Sequence, residues 1–273
     1  SLVAEEEAQA PAVIDPSAGH KEKFHRRLEG RPLQFTVLVL VAILIGGIVE
    51  YMPTALIESN IPTIESVKPY TPLEVVGRDI YISEGCNNCH SQMIRPFRSE
   101  TERYGEYSKA GEFVYDHPFL WGSKRTGPDL HRIGSKYPDS WHLRHMHRPI
   151  STSPGSIMPA YPWMLDREYK TDDIPNKINA LRTVGVPYAE GYEDLAIKDA
   201  EAQAEMIAQG LKDNGFGVIN DEEKGVTYNI TSKKQIIALI AYLQRVGTDI
   251  TGDNDPFAGL PSDARMGANI VED

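Results

Sequence analysis

One uninterrupted apolar run lies near the N-terminus. Residues 33–52 read LQFTVLVLVAILIGGIVEYM, and no charged residue occurs from position 32 to position 49. At 1.5 Å per residue, about 20 apolar residues are enough to cross the hydrocarbon core of a bilayer. A signal peptide would have a shorter apolar stretch followed by a small-residue cleavage site, which residues 51–54 (YMPT) do not offer. The run therefore predicts a transmembrane helix over residues 32–53.

The charges around this run predict its orientation. Five Lys or Arg residues lie between positions 21 and 31, whereas Lys68 is the only one within twenty residues after the run. By the positive-inside rule, residues 1–31 form a cytoplasmic arm, and the bulk of the chain lies on the periplasmic side. The arm is polar and contains two prolines, so we expect it to be loosely structured.

Shorter amphipathic patterns predict a mainly α-helical fold for the remainder. Residues 54–72 contain three prolines, directly after Pro53, and are typical of an extended connector. Apolar residues at helical spacing follow in residues 73–82, and again in residues 233–246, where Gly247 provides a stop. Residues 174–184 and 194–211 also have helical patterns. Residues 248–273 are rich in turn-forming residues and predict a C-terminal tail.

Composition narrows the function. A hydrophobic content of 41% is enough for a globular core, and a net charge of −11 argues against a general nucleic-acid surface. The only two cysteines lie in Cys86-Asn87-Asn88-Cys89-His90, which has the C-x-x-C-H form of a c-type haem attachment sequence. A zinc site would need a second pair of ligands, and a thioredoxin-like pair would need a βαβ context. We therefore predict thioethers from Cys86 and Cys89 to one haem c, with His90 as an axial iron ligand.

Two further segments are candidates to complete the haem site. In Thr126-Gly127-Pro128-Asp129-Leu130, the Pro128 carbonyl is expected to accept the Nδ1–H of the axial histidine and so fix its tautomer. The proline-rich segment 153–162 contains Met158, our predicted sixth ligand, because a thioether favours reduced iron. Core packing is the expected role of Met146, Met164 and Met206.

The histidines leave alternatives open. His131 and His147 are rivals to Met158 as the sixth ligand. His142 and His145 have the i, i+3 spacing of a metal-binding pair, but the sequence places no thiolate or carboxylate beside them, so core or interface roles are favoured.

Several long segments resemble a known family, the mono-haem subunit of cbb(3)-type cytochrome c oxidases, called CcoO or FixO. They are GCNNCHSQMIRPFR (85–98), ETERYG (100–105), DHPFLWGSKRTGPDL (116–130), Trp141-His142 and MPAYPW (158–163). The likeness runs from about residue 46 to residue 165 and resumes around residues 237–243. It implies a periplasmic class I cytochrome c domain with long loop insertions, over residues 73–247, in which residues 166–232 form an expanded insertion.

The resemblance also implies partners. In this family the subunit relays electrons to the low-spin haem b of the catalytic haem–copper subunit (CcoN-like), where oxygen is reduced. The donor would be the di-haem cytochrome c subunit (CcoP-like), a soluble cytochrome c or a quinol–cytochrome c reductase. A calcium ion shared with the catalytic subunit would take one ligand from Ser123.

The excursion between the haem motif and Gly127 contains Arg95, Arg98, Lys124 and Arg125. We predict that it docks on the catalytic subunit, with Arg95 near a haem propionate or at the docking surface. Solvated surface charge is the competing interpretation.

Two other functions compete with electron relay inside an oxidase. One is a free-standing membrane-anchored electron shuttle. The other is a haem-based sensor or peroxidase, which would need an open sixth position on the iron.

Overall fold

The computed structural model describes residues 24–251. Residues 1–23 of the predicted arm and residues 252–273 of the predicted tail lie outside the described residues. The chain divides into two compact units, one ending at Ile61 and the other beginning at Pro62. Most of the regular structure is helical, which confirms the predicted fold class.

The first unit consists of a short helix α1 (Phe24–Glu29), a long helix α2 (Pro32–Leu56) and a 3-10 turn (Glu58–Asn60). Helix α2 is long and apolar enough to cross a membrane, and its side chains are exposed within the chain, as is expected of a helix that faces lipid. It continues three residues past Pro53, because the carbonyl of Pro53 accepts the N–H of Ile57 at 3.0 Å. The apolar run thus forms the predicted helix with a slightly later end.

The second unit contains eight α-helices within the described residues, joined by long loops and 3-10 turns. They are α3 (Pro72–Ser83), α4 (Cys86–Cys89), α5 (Arg98–Tyr104), α6 (Asp139–His147), α7 (Pro149–Thr152), α8 (Ile174–Thr183), α9 (Ala196–Asp213) and α10 (Gln235–Arg245). Two short strands, β1 (Val218–Asp221) and β2 (Val226–Asn229), form an antiparallel hairpin in which Val218 pairs with Asn229.

Helices α3 and α10 pack directly against each other and form the centre of this unit. Helix α3 begins with a capping box, in which the Thr71 N–H donates to Glu74 at 2.8 Å and the Glu74 N–H donates to the Thr71 hydroxyl at 3.3 Å. In the middle of α3, Gly77 lies against the backbone of Ala238 in α10, so closely that a Cβ would lie 2.7 Å from its carbonyl carbon. The absence of a side chain at Gly77 therefore permits the close approach of the two helices.

Residues 166–232 are part of the same core. Ala196, Ala200, Ala204 and Ala208 are spaced four residues apart on α9, and all are fully buried among the side chains of the core. Small side chains at this spacing give α9 a smooth face that can approach its neighbours closely. The segment thus contributes buried side chains to the core of the unit, and its hairpin was not predicted from the sequence.

Candidate haem site

The two cysteines lie in the one-turn helix α4, directly after α3. Gly85 precedes α4 with a φ of 72°, a left-handed conformation that glycine adopts without strain and that allows the sharp turn between the helices. Cys86 is buried and Cys89 is exposed, and the two do not form a disulfide. Burial raises the pKa of Cys86 to about 12, and the nearby Glu84 adds to the rise. The two sulfurs therefore lie one turn apart, at the boundary between core and surface.

The imidazole of His90 is fixed by the loop that contains Pro128. Its Nδ1 lies 2.8 Å from the Pro128 carbonyl oxygen, which accepts the Nδ1–H. Burial lowers the pKa of His90, although the Pro128 carbonyl and the Asp129 carboxylate act in the opposite direction. Because Nδ1 is used as a donor, Nε2 carries the free lone pair that an iron ion requires.

Gly127 makes room for this arrangement. A Cβ at Gly127 would lie 2.7 Å from Nδ1 of His90, and closer still to Cε1, so the imidazole occupies space that any other residue would fill. The Gly127 N–H also donates to the carbonyl of Cys89 at 3.0 Å. The Gly-Pro sequence thus has two functions here, one steric and one as a hydrogen-bond acceptor.

The segment that contains Met158 is attached beside the same cysteines. Tyr161 donates its N–H to the Met146 carbonyl at 2.7 Å, and Trp163 donates its Nε1–H to Glu84, two residues before Cys86, at 3.1 Å. Burial raises the pKa of Tyr161, and the neighbouring Cys86 and Cys89 raise it further. Met158 itself is half-buried and packs against the core. The structure therefore brings the Met158 segment close to the haem motif.

Both rival histidines have partners elsewhere. Nε2 of His131 lies 3.0 Å from Glu112, and Nε2 of His147 lies 3.2 Å from Asp221 of the hairpin. Of the methionines expected in the core, Met146 and Met164 are buried, whereas Met206 is 44% exposed and is not a core residue.

The His142 and His145 pair lies on α6. Nδ1 of His145 lies 2.6 Å from the Thr152 hydroxyl, and burial lowers the pKa of each histidine to about 4. Among residues 24–251, no group of three His, Cys, Asp or Glu side chains could hold a metal ion. Ser123, the predicted calcium ligand, is exposed.

The cations of the excursion differ in their contacts. Arg125 points inward and donates to Ser91, to the Met93 carbonyl and to Glu100. Arg95 pairs with the same Glu100 but keeps a side chain that is 55% exposed. Lys124 is exposed, and Arg98 pairs on the surface with Glu102. The hydrogen bonds that Glu100 accepts, first from Arg125 and then from Arg95, lower its pKa to about 2. Arg125 is thus committed to contacts inside the chain, which the sequence did not indicate.

Taken together, these residues suit a covalently attached haem. They provide two thiols one helical turn apart, an imidazole with a free Nε2, and a half-buried thioether on a segment that borders the thiols. Residues 25–250 match the family model described as "Cytochrome C oxidase, mono-heme subunit/FixO".

The chain belongs to the FixO family.

Membership of the FixO family makes this chain a mono-haem subunit of a cbb(3)-type cytochrome c oxidase. The matched range includes residues 166–232, where the resemblance seen in the sequence had a gap. In a comparison with curated proteins, no match was found.

Proposed function

We propose that this FixO subunit relays electrons, one at a time, to the low-spin haem b of the catalytic haem–copper subunit. The donor is the di-haem cytochrome c subunit, or a soluble cytochrome c or quinol–cytochrome c reductase. Helix α2 anchors the subunit in the bacterial inner membrane, with the N-terminus in the cytoplasm and the haem domain in the periplasm. A haem c bound at this site would supply reversible one-electron transfer between ferrous and ferric iron.

The observation that carries the proposal is the His90 site. The Cys86 and Cys89 thiols precede an imidazole whose Nδ1 is held at 2.8 Å by Pro128, so a haem attached to both sulfurs would meet Nε2 directly. The second iron ligand is assigned to Met158, since His131 and His147 are engaged with carboxylates. A thioether bound to the iron would exclude external ligands and favour the reduced state, as a relay requires.

The first test is mass and absorption spectroscopy of the complex purified in detergent. We expect this chain to retain one haem after denaturation, and haem b and copper to co-migrate with it. A colourless denatured chain would exclude covalent attachment. A haem-bearing chain that migrates without haem b and copper would instead favour a free-standing electron shuttle.

The second test replaces the assigned sixth ligand. Met158→Leu should lower the haem potential and allow carbon monoxide to bind, because an axial position on the iron becomes open. Met164→Leu is the matched control, since Met164 is fully buried in the core. A Met158→Leu protein that stays low-spin and insensitive to carbon monoxide would contradict the assignment.

We further propose that residues 91–126 dock on the catalytic subunit. The support is an exposed surface in which Phe119 and Trp121 stack with their ring centres 4.4 Å apart, and in which Arg95 and Lys124 supply positive charge. Arg95→Ala should slow haem-to-haem electron transfer or weaken assembly, whereas normal transfer and assembly would count against docking here.

A calcium ion at Ser123 would take one hydroxyl oxygen from this chain and most of its roughly six to eight oxygen ligands from the partner.

A further inference from the structure

Asp129 lies directly after the proline that holds His90, and its side chain is fully buried. Its Oδ2 accepts hydrogen bonds from the Ser91 hydroxyl at 2.5 Å and from the Met93 N–H at 2.9 Å. Its Oδ1 accepts the N–H of His131 at 2.8 Å. Both carboxylate oxygens are therefore used, and each binds a different stretch of chain.

These bonds join the two loops that position the imidazole. One loop continues from His90 into Ser91, and the other contains Pro128, the acceptor of the Nδ1–H. The backbone adds a parallel link, from the Leu130 N–H to the Ser91 carbonyl at 2.8 Å. A displacement of Asp129 would thus change the separation of the loops, and with it the orientation of the ring.

The carboxylate also contributes charge beside the site. Arg125 lies 3.1 Å from Asp129 and 2.9 Å from Glu100, and its Nε–H donates to the Ser91 hydroxyl at 2.6 Å. Arg95 also pairs with Glu100, so the two carboxylates are matched by two guanidiniums, and within this group the Asp129 side chain is the one that is fully buried. Oxidation adds one positive charge to the iron, so a buried carboxylate nearby stabilises the oxidised state and a buried cation the reduced state.

We propose that Asp129 is a positioning residue for the His90 imidazole and that the Asp129–Arg125 pair sets the haem potential through opposing charges. This inference rests on the proposed attachment of haem at Cys86, Cys89 and His90. Asp129 does not touch the Nε2 atom, so its action is exerted through the two loops and through its field.

The test measures haem midpoint potentials in the purified complex carrying Asp129→Asn or Arg125→Gln. Asp129→Asn removes the negative charge with little change in shape, and should favour reduced haem by at least about threefold, which is roughly 28 mV upward at 59 mV per tenfold. Arg125→Gln should shift the potential downward by a similar amount. Glu102→Gln and Arg103→Gln remove the same charges from the exposed surface of α5 and should change the ratio by less than about 1.5-fold, because solvent screens them.

Opposite shifts in the two buried variants would support the proposal. Shifts in the same direction, or shifts no larger than those of the surface controls, would overturn it. If Asp129→Asn does not assemble, Arg125→Gln alone decides, and an unchanged or raised potential refutes the charge role. Denatured samples are checked for retained haem, since an unaltered chain without covalent haem would contradict the proposed function itself.

Discussion

Replacing Gly127 with alanine is the most direct perturbation of the His90 site. The backbone of Gly127 lies outside the left-handed region, so alanine meets no conformational penalty there. The obstacle is contact: the new Cβ would lie 2.7 Å from Nδ1 of His90, whereas ordinary contact begins near 3.4 Å. Nδ1 must therefore move by about 0.7 Å or more.

This displacement is large relative to the hydrogen bond to Pro128. A movement of 0.7 Å along that bond would lengthen it from 2.8 Å to about 3.5 Å, the limit of a useful interaction. Overpacking costs about 1–3 kcal/mol, and the lost hydrogen bond about 0.5–1.5 kcal/mol. We expect Gly127→Ala to lower the free energy of unfolding by about 1.5–4.5 kcal/mol and to increase the fraction of haem that binds carbon monoxide.

The assay is urea unfolding of the full chain in detergent, followed by haem absorbance, together with carbon monoxide binding at equilibrium. Gly210→Ala is the matched control, because Gly210 lies inside α9 with no atom within 4 Å of the added Cβ. It should be neutral or stabilising by up to about 1 kcal/mol. If Gly127→Ala unfolds like the wild type and its haem stays closed to carbon monoxide, the steric argument for Gly127 is wrong.

Three further predictions concern the second unit. Gly77→Ala should destabilise this unit by about 3 kcal/mol or more in urea unfolding. The reason is that the added Cβ would lie 2.8 Å from Cβ of Tyr242 in α10 and as close to the backbone of Ala238. An unchanged unfolding midpoint would refute the prediction. Arg245→Met should lower the free energy of unfolding by about 3–5 kcal/mol, because it leaves Glu74 buried without the guanidinium that lies 3.5 Å away. Adding Glu74→Gln should restore part of this loss. A double variant that is no more stable than Arg245→Met would count against the pairing. Burial opposes ionisation of Glu112, but hydrogen bonds from His131 and Arg132 outweigh it and lower its pKa to about 2. The contribution of Glu112 to stability should be complete above its usual pKa near 4.5 and should be lost as the pH falls toward 2. Glu112→Gln should therefore make the free energy of unfolding depend less on pH over that range. An equally steep acid dependence in the variant would exclude Glu112 as its source.

Features contained within one element could be predicted from the sequence. Helix α2, which is long and apolar enough to cross a membrane, follows from an unbroken apolar run, and α3 and α10 follow from apolar residues at helical spacing. The haem motif is equally local, because two thiols one turn apart and the next histidine need only a short helix to come together. Burial of the Ala196, Ala200, Ala204 and Ala208 face could have been inferred from its four-residue spacing, but alanine alone gives a weak signal of burial.

Contacts between distant segments were decided by the tertiary structure. Arg125 resembles any other exposed cation in the sequence, yet the path of the chain brings it 2.9 Å from Glu100 and 3.1 Å from Asp129, which balances its charge inside the domain. Asp129 likewise binds Ser91, 38 residues earlier. The sequence alone determined the long apolar helix α2, the amphipathic helices α3 and α10 and the haem attachment motif, since these depend on neighbours within a few residues. Which charges turn inward beside the site was determined only by folding, because a buried charge needs a partner that a distant loop supplies.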